Sequence, residues 1–180
     1  WSSSLKWLEE NGDSFDLICL QEHHLSTQAS IDTARATAVA RGFQCFLAPA
    51  LDTCKEGGTT GGVGFLWPHR IRVSCPGDLI SCNWGLSVQL EHHSLGQLIV
   101  VSFCRHPTDT VITLKWLAGL LSKFCATGLS FIIAGDFNIP SDDMALWLPD
   151  NHPHTQIREG GDSCFTTTGA TTIDYFLLHG

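Results

Sequence analysis

Apolar and polar positions divide the chain into short strands with a few helices between them. Residues 4–10 carry Leu5 and Leu8 on one side and read as the end of an amphipathic helix, stopped by Asn11-Gly12. Residues 16–22 predict a short buried strand that ends in the polar pair Gln21-Glu22. Residues 30–41 are alanine-rich, with Ser30 as N-cap and Gly42 just beyond, and predict a helix; residues 43–47 predict a strand. A loop over residues 51–64 holds five glycines among its last eight positions and leads into a strand over 63–67. It reads as a tight turn near a site, because it lacks the Lys-Ser/Thr ending of a phosphate-binding P-loop and no helix follows it.

Residues 71–75, 85–91 and 97–105 alternate with turn residues, as in an antiparallel meander. Residues 108–124 form the clearest helix: Pro107 precedes it, Thr108 or Asp109 caps it, and Leu114, Leu117, Leu121 and Phe124 share a stripe. The stretch Phe131-Ile132-Ile133-Ala134-Gly135-Asp136-Phe137-Asn138 then offers four apolar strand residues, a glycine where the backbone turns, and two polar side chains. Residues 141–147 predict one helical turn, 149–161 a loop, and 171–178 a last strand carrying Asp174. Strands outnumber helices and helices fall between strands. The pattern predicts an α+β fold of two mainly antiparallel sheets with helices outside.

The candidate chemistry sits at strand ends. On an extended backbone, side chains two positions apart point to the same side, so Asp136 and Asn138 are placed to converge on one small ligand. Gln21-Glu22 and Ile173-Asp174-Tyr175 offer oxygen donors of the same kind. Carboxylate and amide oxygens suit a hard cation such as Mg²⁺, which takes one or two carboxylates and keeps several waters.

Composition bounds these readings. A length of 180 residues suits one domain with a real core, and 43% hydrophobic with 16% charged residues excludes a disordered chain. No apolar run nears the roughly 20 residues of a membrane span, and no signal peptide opens the sequence, so an intracellular chain of nucleus or cytoplasm, away from membranes, is expected. Eight cysteines include no Cys-x-x-Cys pair and read as small buried residues in a reducing compartment. His23-His24 and His92-His93, adjacent on strands, point opposite ways and lack cooperating zinc ligands; His24 is expected to help order the loop after Glu22. The net charge of −8 disfavours phosphate contacts spread over a surface. Arg70 and Arg72, on one face of a strand, and Lys55 in the glycine loop are the nearest thing to a basic patch.

The segments LICLQEHHL, GGVGFLW, VVSFCRHP, FIIAGDFN and TTIDYFLL resemble, in order and over nearly the whole chain, the endonuclease/exonuclease/phosphatase superfamily, and most of all the endonuclease domains of LINE-type retrotransposons. The resemblance implies a four-layered α/β sandwich of DNase I type. It implies a Mg²⁺-dependent phosphodiesterase, with Mn²⁺ as the alternative ion, that nicks DNA and shares a polyprotein with a reverse transcriptase. Glu22 would hold the metal, Asp136 would orient or deprotonate the attacking water, and Asn138 would hold a phosphate oxygen. Asp174 would fix the orientation of a histidine. Arg105 or His106 would contact phosphate, because Cys104 stands where nucleases of the family often carry a tyrosine. The family's first strand and its closing Ser-Asp-His segment are expected outside residues 1–180, leaving a single incomplete domain; His179 reads as structural. A phosphatase or lipid phosphodiesterase, and a remnant without turnover, are the alternatives.

Overall fold

The computed structural model describes residues 6, 10, 15–52, 58–75, 81–82, 84–92, 94, 96–105, 110–161, 164–166 and 169–180. Of the expected helix over 4–10, only Lys6 and Glu10 are described, both helical; the cap at Thr108 or Asp109, Lys55 and His106 lie outside the described residues. In chain order the described elements are β1 (Ile18–Leu20), α1 (Gln28–Ala40), β2 (Phe43–Ala48), β3 (Leu51–Asp52), β4 (Thr59–Thr60), β5 (Val63–Pro68) and β6 (Val73–Ser74). They continue with β7 (Ser81–Cys82), β8 (Gly85–His92), β9 (Gly96–Cys104), α2 (Thr110–Cys125), β10 (Ser130–Asp136), α3 (Ser141–Asn151), β11 (Gln156–Glu159), β12 (Cys164–Thr166), β13 (Gly169–Thr171) and β14 (Asp174–His179). Among the described residues, no helix is long and apolar enough to cross a membrane.

Three buried clusters define four layers. Ile31, Ala34 and Ala38 of α1, at helical spacing, pack on Phe43, Cys45, Leu47 and Leu66 of a three-stranded sheet ordered β1-β5-β2. The other face of that sheet sets Val63, Phe65 and Trp67 against Leu86, Val88, Leu98 and Val100 of a seven-stranded sheet. The far face of the larger sheet, with Val101, Phe103, Phe131 and Ile133, receives Leu117, Leu120, Leu121 and Phe124 of α2 and Met144 and Leu148 of α3. Helices therefore lie outside two packed sheets, as expected.

The larger sheet runs β11-β14-β10-β9-β8-β6, with β7 also on β8, and all its pairs are antiparallel except β9 with β10. That pair is parallel because α2 carries the chain back between them, and a crossover of this kind requires a helix-length connection. The meander β9-β8-β6 is the one the alternation predicts.

Several local expectations are corrected. The cap of α1 is Thr27, not Ser30: Thr27 is extended (φ −98°, ψ 149°), and its Oγ1 accepts the Ser30 N–H at 3.1 Å. Helix α3 runs eleven residues, through Pro149, because the buried Met144 and Leu148 hold it beyond the predicted single turn. Residues 156–159 form an edge strand on β14 instead of a loop; Ile157 is its one apolar residue, so alternation gave no signal. The last strand begins at Asp174, since the Thr172 and Ile173 carbonyls accept the N–H groups of Ser141 (3.0 Å) and Phe137 (2.9 Å). Gly135 lies inside β10 and makes no turn. Arg70 lies in a turn and Arg72 just after it, not on one strand face, and Arg70 is tied to the Phe15 carbonyl at 3.1 Å, at the far end of β1 from Glu22.

Among the described residues Cys19, Cys45, Cys75, Cys104 and Cys125 are free thiols. Cys45 and Cys104 are buried, and burial pushes the Cys19 thiol up to about 12, but Cys75 and Cys125 are exposed.

Candidate active site

The two sheets bring their polar ends to one edge. Gln21 and Glu22 follow β1, Gly61 and Gly62 precede β5, Cys104 closes β9, Asp136 closes β10 and Asp174 opens β14. Register fixes the lateral order in the larger sheet: Asp136 pairs with Asp174 on one side and with Cys104 on the other. A buried polar tie holds the sheets together behind this edge. The fully buried Ser102 hydroxyl donates to the Leu20 carbonyl at 2.7 Å, and Gln21 Nε2 donates to Ser102 Oγ at 3.1 Å and to the Ala134 carbonyl at 3.4 Å. Such groups cost free energy when buried alone, so each satisfies the next.

Glu22 stands where the backbone leaves the strand. Its φ is 51° and that of His24 is 59°, so the backbone is left-handed on both sides of His23 and the two histidines do not alternate on a strand as predicted. Glu22 Oε2 accepts the Gly61 N–H at 3.0 Å, with His24 Nε2 at 3.5 Å, and Oε1 accepts the Cys104 S–H at 3.0 Å. His24 orders the loop as expected: its Nδ1 lies 3.1 Å from the Thr59 carbonyl, and its own carbonyl accepts from Thr59 Oγ1 at 3.2 Å. The His23 ring packs against Gly62, and burial lowers its pKa, in keeping with an unprotonated Nδ1 that accepts the Leu25 N–H at 3.1 Å. The glycine loop is thus a clamp on Glu22.

Gly62 is required twice over. Its φ is +86°, and a Cβ there would lie 2.6 Å from His23 Cε1. Gly62→Ala is expected to cost about 1–2 kcal/mol for the left-handed backbone alone and to lower Tm by a few degrees. Thermal melts of Gly62→Ala with and without His23→Ala separate backbone strain from collision; an unchanged Tm in the single variant would contradict the clamp.

Asp136 and Asn138 converge by a route other than the predicted one. Asn138 has φ 49°, and its N–H donates to Asp136 Oδ1 at 3.0 Å, so a tight Asx turn replaces strand alternation. Burial and then the adjacent Asp174 raise the Asp136 pKa; hydrogen bonds from Asn138 oppose them, and Glu22 adds to the rise. Arg105 braces the turn: Nη1 donates to the Asn138 carbonyl at 2.6 Å and Nη2 to Thr110 Oγ1 at 2.8 Å, while its backbone N–H donates to the Asp136 carbonyl at 2.9 Å. Two of its donors are therefore engaged within the chain. Beneath the site the Phe137 and Tyr175 rings stack at 4.2 Å, and burial raises the Tyr175 phenol. His179 stacks on Phe131 at 4.9 Å at the opposite end of β14, the structural place expected of it.

Glu22, His24 and Asn138 are the non-glycine residues of positive φ among the described residues, and all three are here. Strained backbone of this kind persists where surrounding contacts over-determine it, and it gathers at functional sites. The sequence marks Cys104 only as standing in place of a tyrosine and Gly61 only as part of a turn near a site, and neither is tied there to Glu22. Ser102 left a fainter trace, as the polar residue inside the apolar run 98–104.

The donor set fits a hard divalent cation. Glu22, Asp136, Asp174 and Asn138 offer oxygens, and a cation would offset the repulsion from Asp174 and Glu22 that adds to burial in raising Asp136. The Glu22 side chain is 38% exposed, leaving its carboxylate open to an ion. Among the described residues no group of three or more His, Cys, Asp or Glu side chains is disposed to enclose a metal.

Comparison with known proteins gives the following. A sequence profile of the endonuclease/exonuclease/phosphatase family matches residues 5–180. No curated protein sequence matches. Among solved structures, the endonuclease domain of TRAS1, a telomere-specific non-LTR retrotransposon, is similar with a TM-score of 0.61 at 12% identity, covering 98% of this chain and 78% of that one. The AP endonuclease LMAP from Leishmania major gives 0.64 at 14% identity over 99% and 74%, respectively. The human Nocturnin catalytic domain gives 0.64 at 15% over the same shares. At such identities the likeness concerns the fold.

Proposed function

This chain belongs to the endonuclease/exonuclease/phosphatase family of metal-dependent hydrolases, and on that premise we propose that it hydrolyses phosphodiester bonds in DNA as the nicking domain of a retrotransposon-type polyprotein. The observation that carries the reading is the convergence of Glu22, from one sheet, with Asp136, Asn138 and Asp174, from the other, on a single edge. Glu22 would hold a Mg²⁺ ion, which would supply Lewis-acid polarisation of the phosphoryl oxygens. Asp136 accepts the proton of the attacking water, its raised pKa bringing it nearer to the working pH of a general base. The Asn138 amide, on its braced turn, donates to a phosphoryl oxygen as charge builds there. Asp174 lies beside Asp136 in register and orients a catalytic imidazole. Arg105 keeps Asn138 in place and His106 contacts phosphate. Such a protein works inside the cell, in nucleus or cytoplasm, with residues 1–180 as one domain and a reverse transcriptase in the same polyprotein.

The test is nicking of supercoiled plasmid with Mg²⁺ and with EDTA. Nicking is expected to require the ion and to fall about 100-fold or more in Glu22→Gln, since Lewis-acid stabilisation is worth several kcal/mol and each 1.36 kcal/mol is tenfold. Full activity of Glu22→Gln would sink the assignment. The net charge of −8 favours a second reading, a phosphatase or lipid phosphodiesterase that needs no DNA-binding surface. Phosphate release from an inositol phosphate without plasmid nicking would decide for it.

A further inference from the structure

Cys104 ends β9 on the face that packs against the smaller sheet, 1% exposed among Phe65, Leu86 and Val100. A buried thiol is ordinarily a small apolar filler. This one crosses the interface between the sheets and meets a carboxylate: Sγ lies 3.0 Å from Glu22 Oε1, whereas its other acceptor, the Arg105 carbonyl, is at 3.9 Å. Glu22 Oε2 is held by the Gly61 N–H at 3.0 Å. Each oxygen thus has a donor from a different element, and two such donors fix the plane of a carboxylate that one donor would leave free to rotate.

We propose that Cys104 is a positioning residue for Glu22, orienting its carboxylate by donating the S–H to Oε1. The proposal rests on the reading that Glu22 holds the divalent ion, and it adds what sets that ligand in place. Glu22 follows strand β1 of the smaller sheet and has a left-handed backbone, while Cys104 flanks Asp136 in the register of the larger sheet. The S–H bond therefore keys the ligand to the strand beside the proposed base. A thiol is a weak donor, so it directs Oε1 while leaving the oxygen's charge largely available to a hard cation. Partners of metal ligands characteristically act in this way, fixing orientation at a distance of one bond from the ion.

Two measurements test the proposal. The S–H stretch of metal-free protein, assigned by its loss in Cys104→Ala, is expected to shift in Glu22→Gln, where the anionic acceptor becomes neutral. Mn²⁺ titration followed by electron paramagnetic resonance is expected to show the dissociation constant raised about tenfold in Cys104→Ala and in the volume-filling Cys104→Val, with recovery in Cys104→Ser, whose hydroxyl can donate. An S–H band indifferent to Glu22→Gln, or wild-type Mn²⁺ affinity in Cys104→Val, would overturn the proposal and leave the thiol as packing. If Glu22→Gln binds Mn²⁺ like wild type, the reading of Glu22 as ligand fails; the S–H band then still decides whether the thiol holds the carboxylate.

Discussion

Asp136→Asn is expected to cripple hydrolysis and at the same time to raise the thermal stability of the metal-free protein at neutral pH. The catalytic loss is expected to lie at about 10²–10⁴-fold, the usual contribution of a positioned general base. The gain in stability follows from linkage. Burial and the neighbouring Asp174 raise the folded-state pKa of Asp136 above its ordinary value of 3.8. Between the unfolded and the folded pKa the native state binds the extra proton, so stability falls as pH rises through that window. Above the folded pKa the cost of the ionised carboxylate is present in full.

Asparagine removes that charge while its Oδ1 still accepts the Asn138 N–H that now reaches Asp136 at 3.0 Å. Melts in EDTA should show the variant above wild type at pH 7, by about 2–4 °C for each kcal/mol relieved, with the difference vanishing below the unfolded pKa. Added Mg²⁺ should shrink the gap, since a cation relieves the same repulsion in the wild type. A variant that keeps wild-type turnover, or that melts lower than wild type at pH 7, would refute the role given to Asp136.

Gly135→Ala is expected to cost more stability than any surface substitution and to disable the site with it. A Cβ at Gly135 would fall 1.9 Å from the Phe103 carbonyl oxygen and 2.7 Å from its carbonyl carbon. Both belong to the backbone of the adjacent parallel strand, where Gly135 is the register partner of Phe103. A flexible side chain could swing away from such an intrusion, but a hydrogen-bonded central strand must move as a whole. Overpacking of buried sites costs about 1–3 kcal/mol, and a collision with backbone belongs at or above the upper end. At about 3 kcal/mol, Tm should fall by about 6–12 °C. The next register pair is Asp136 with Cys104, so the same displacement carries the proposed base and the partner of Glu22 apart. Tm and nicking rate measured on one preparation decide the matter; a stable, active Gly135→Ala would show that the strands can separate without cost.

Much of this architecture was legible because its causes are local. Strands β2, β5, β9 and β10 are runs of apolar residues bounded by turn residues, and helix α2 carries its apolar stripe at helical spacing, so each declares its own period. Where the chain departed from the reading, the local signal was weak or outweighed. Pro149 argued for an early stop to α3, and the burial of Leu148 overrode it. Edge strand β11 exists because β14 offers it a partner. The glycine of Gly-Asp-Phe-Asn was read as freedom to turn, and it is a demand for space against Phe103.

The candidate residues were legible in the chain alone: Glu22, Asp136, Asn138 and Asp174 stand at the ends of apolar runs, where a strand hands polar side chains to a sheet edge. How those groups are held is a property of the packed sheets. Glu22 is fixed by Gly61 and by Cys104, which lie 39 and 82 positions away along the chain, and the Asn138 turn is braced by Arg105, 33 positions before it. Periodicity reports a residue's immediate surroundings, whereas a hydrogen bond between sheets depends on their packing and on the register of every strand between them. Orientation therefore belongs to the assembled fold, and composition to the chain.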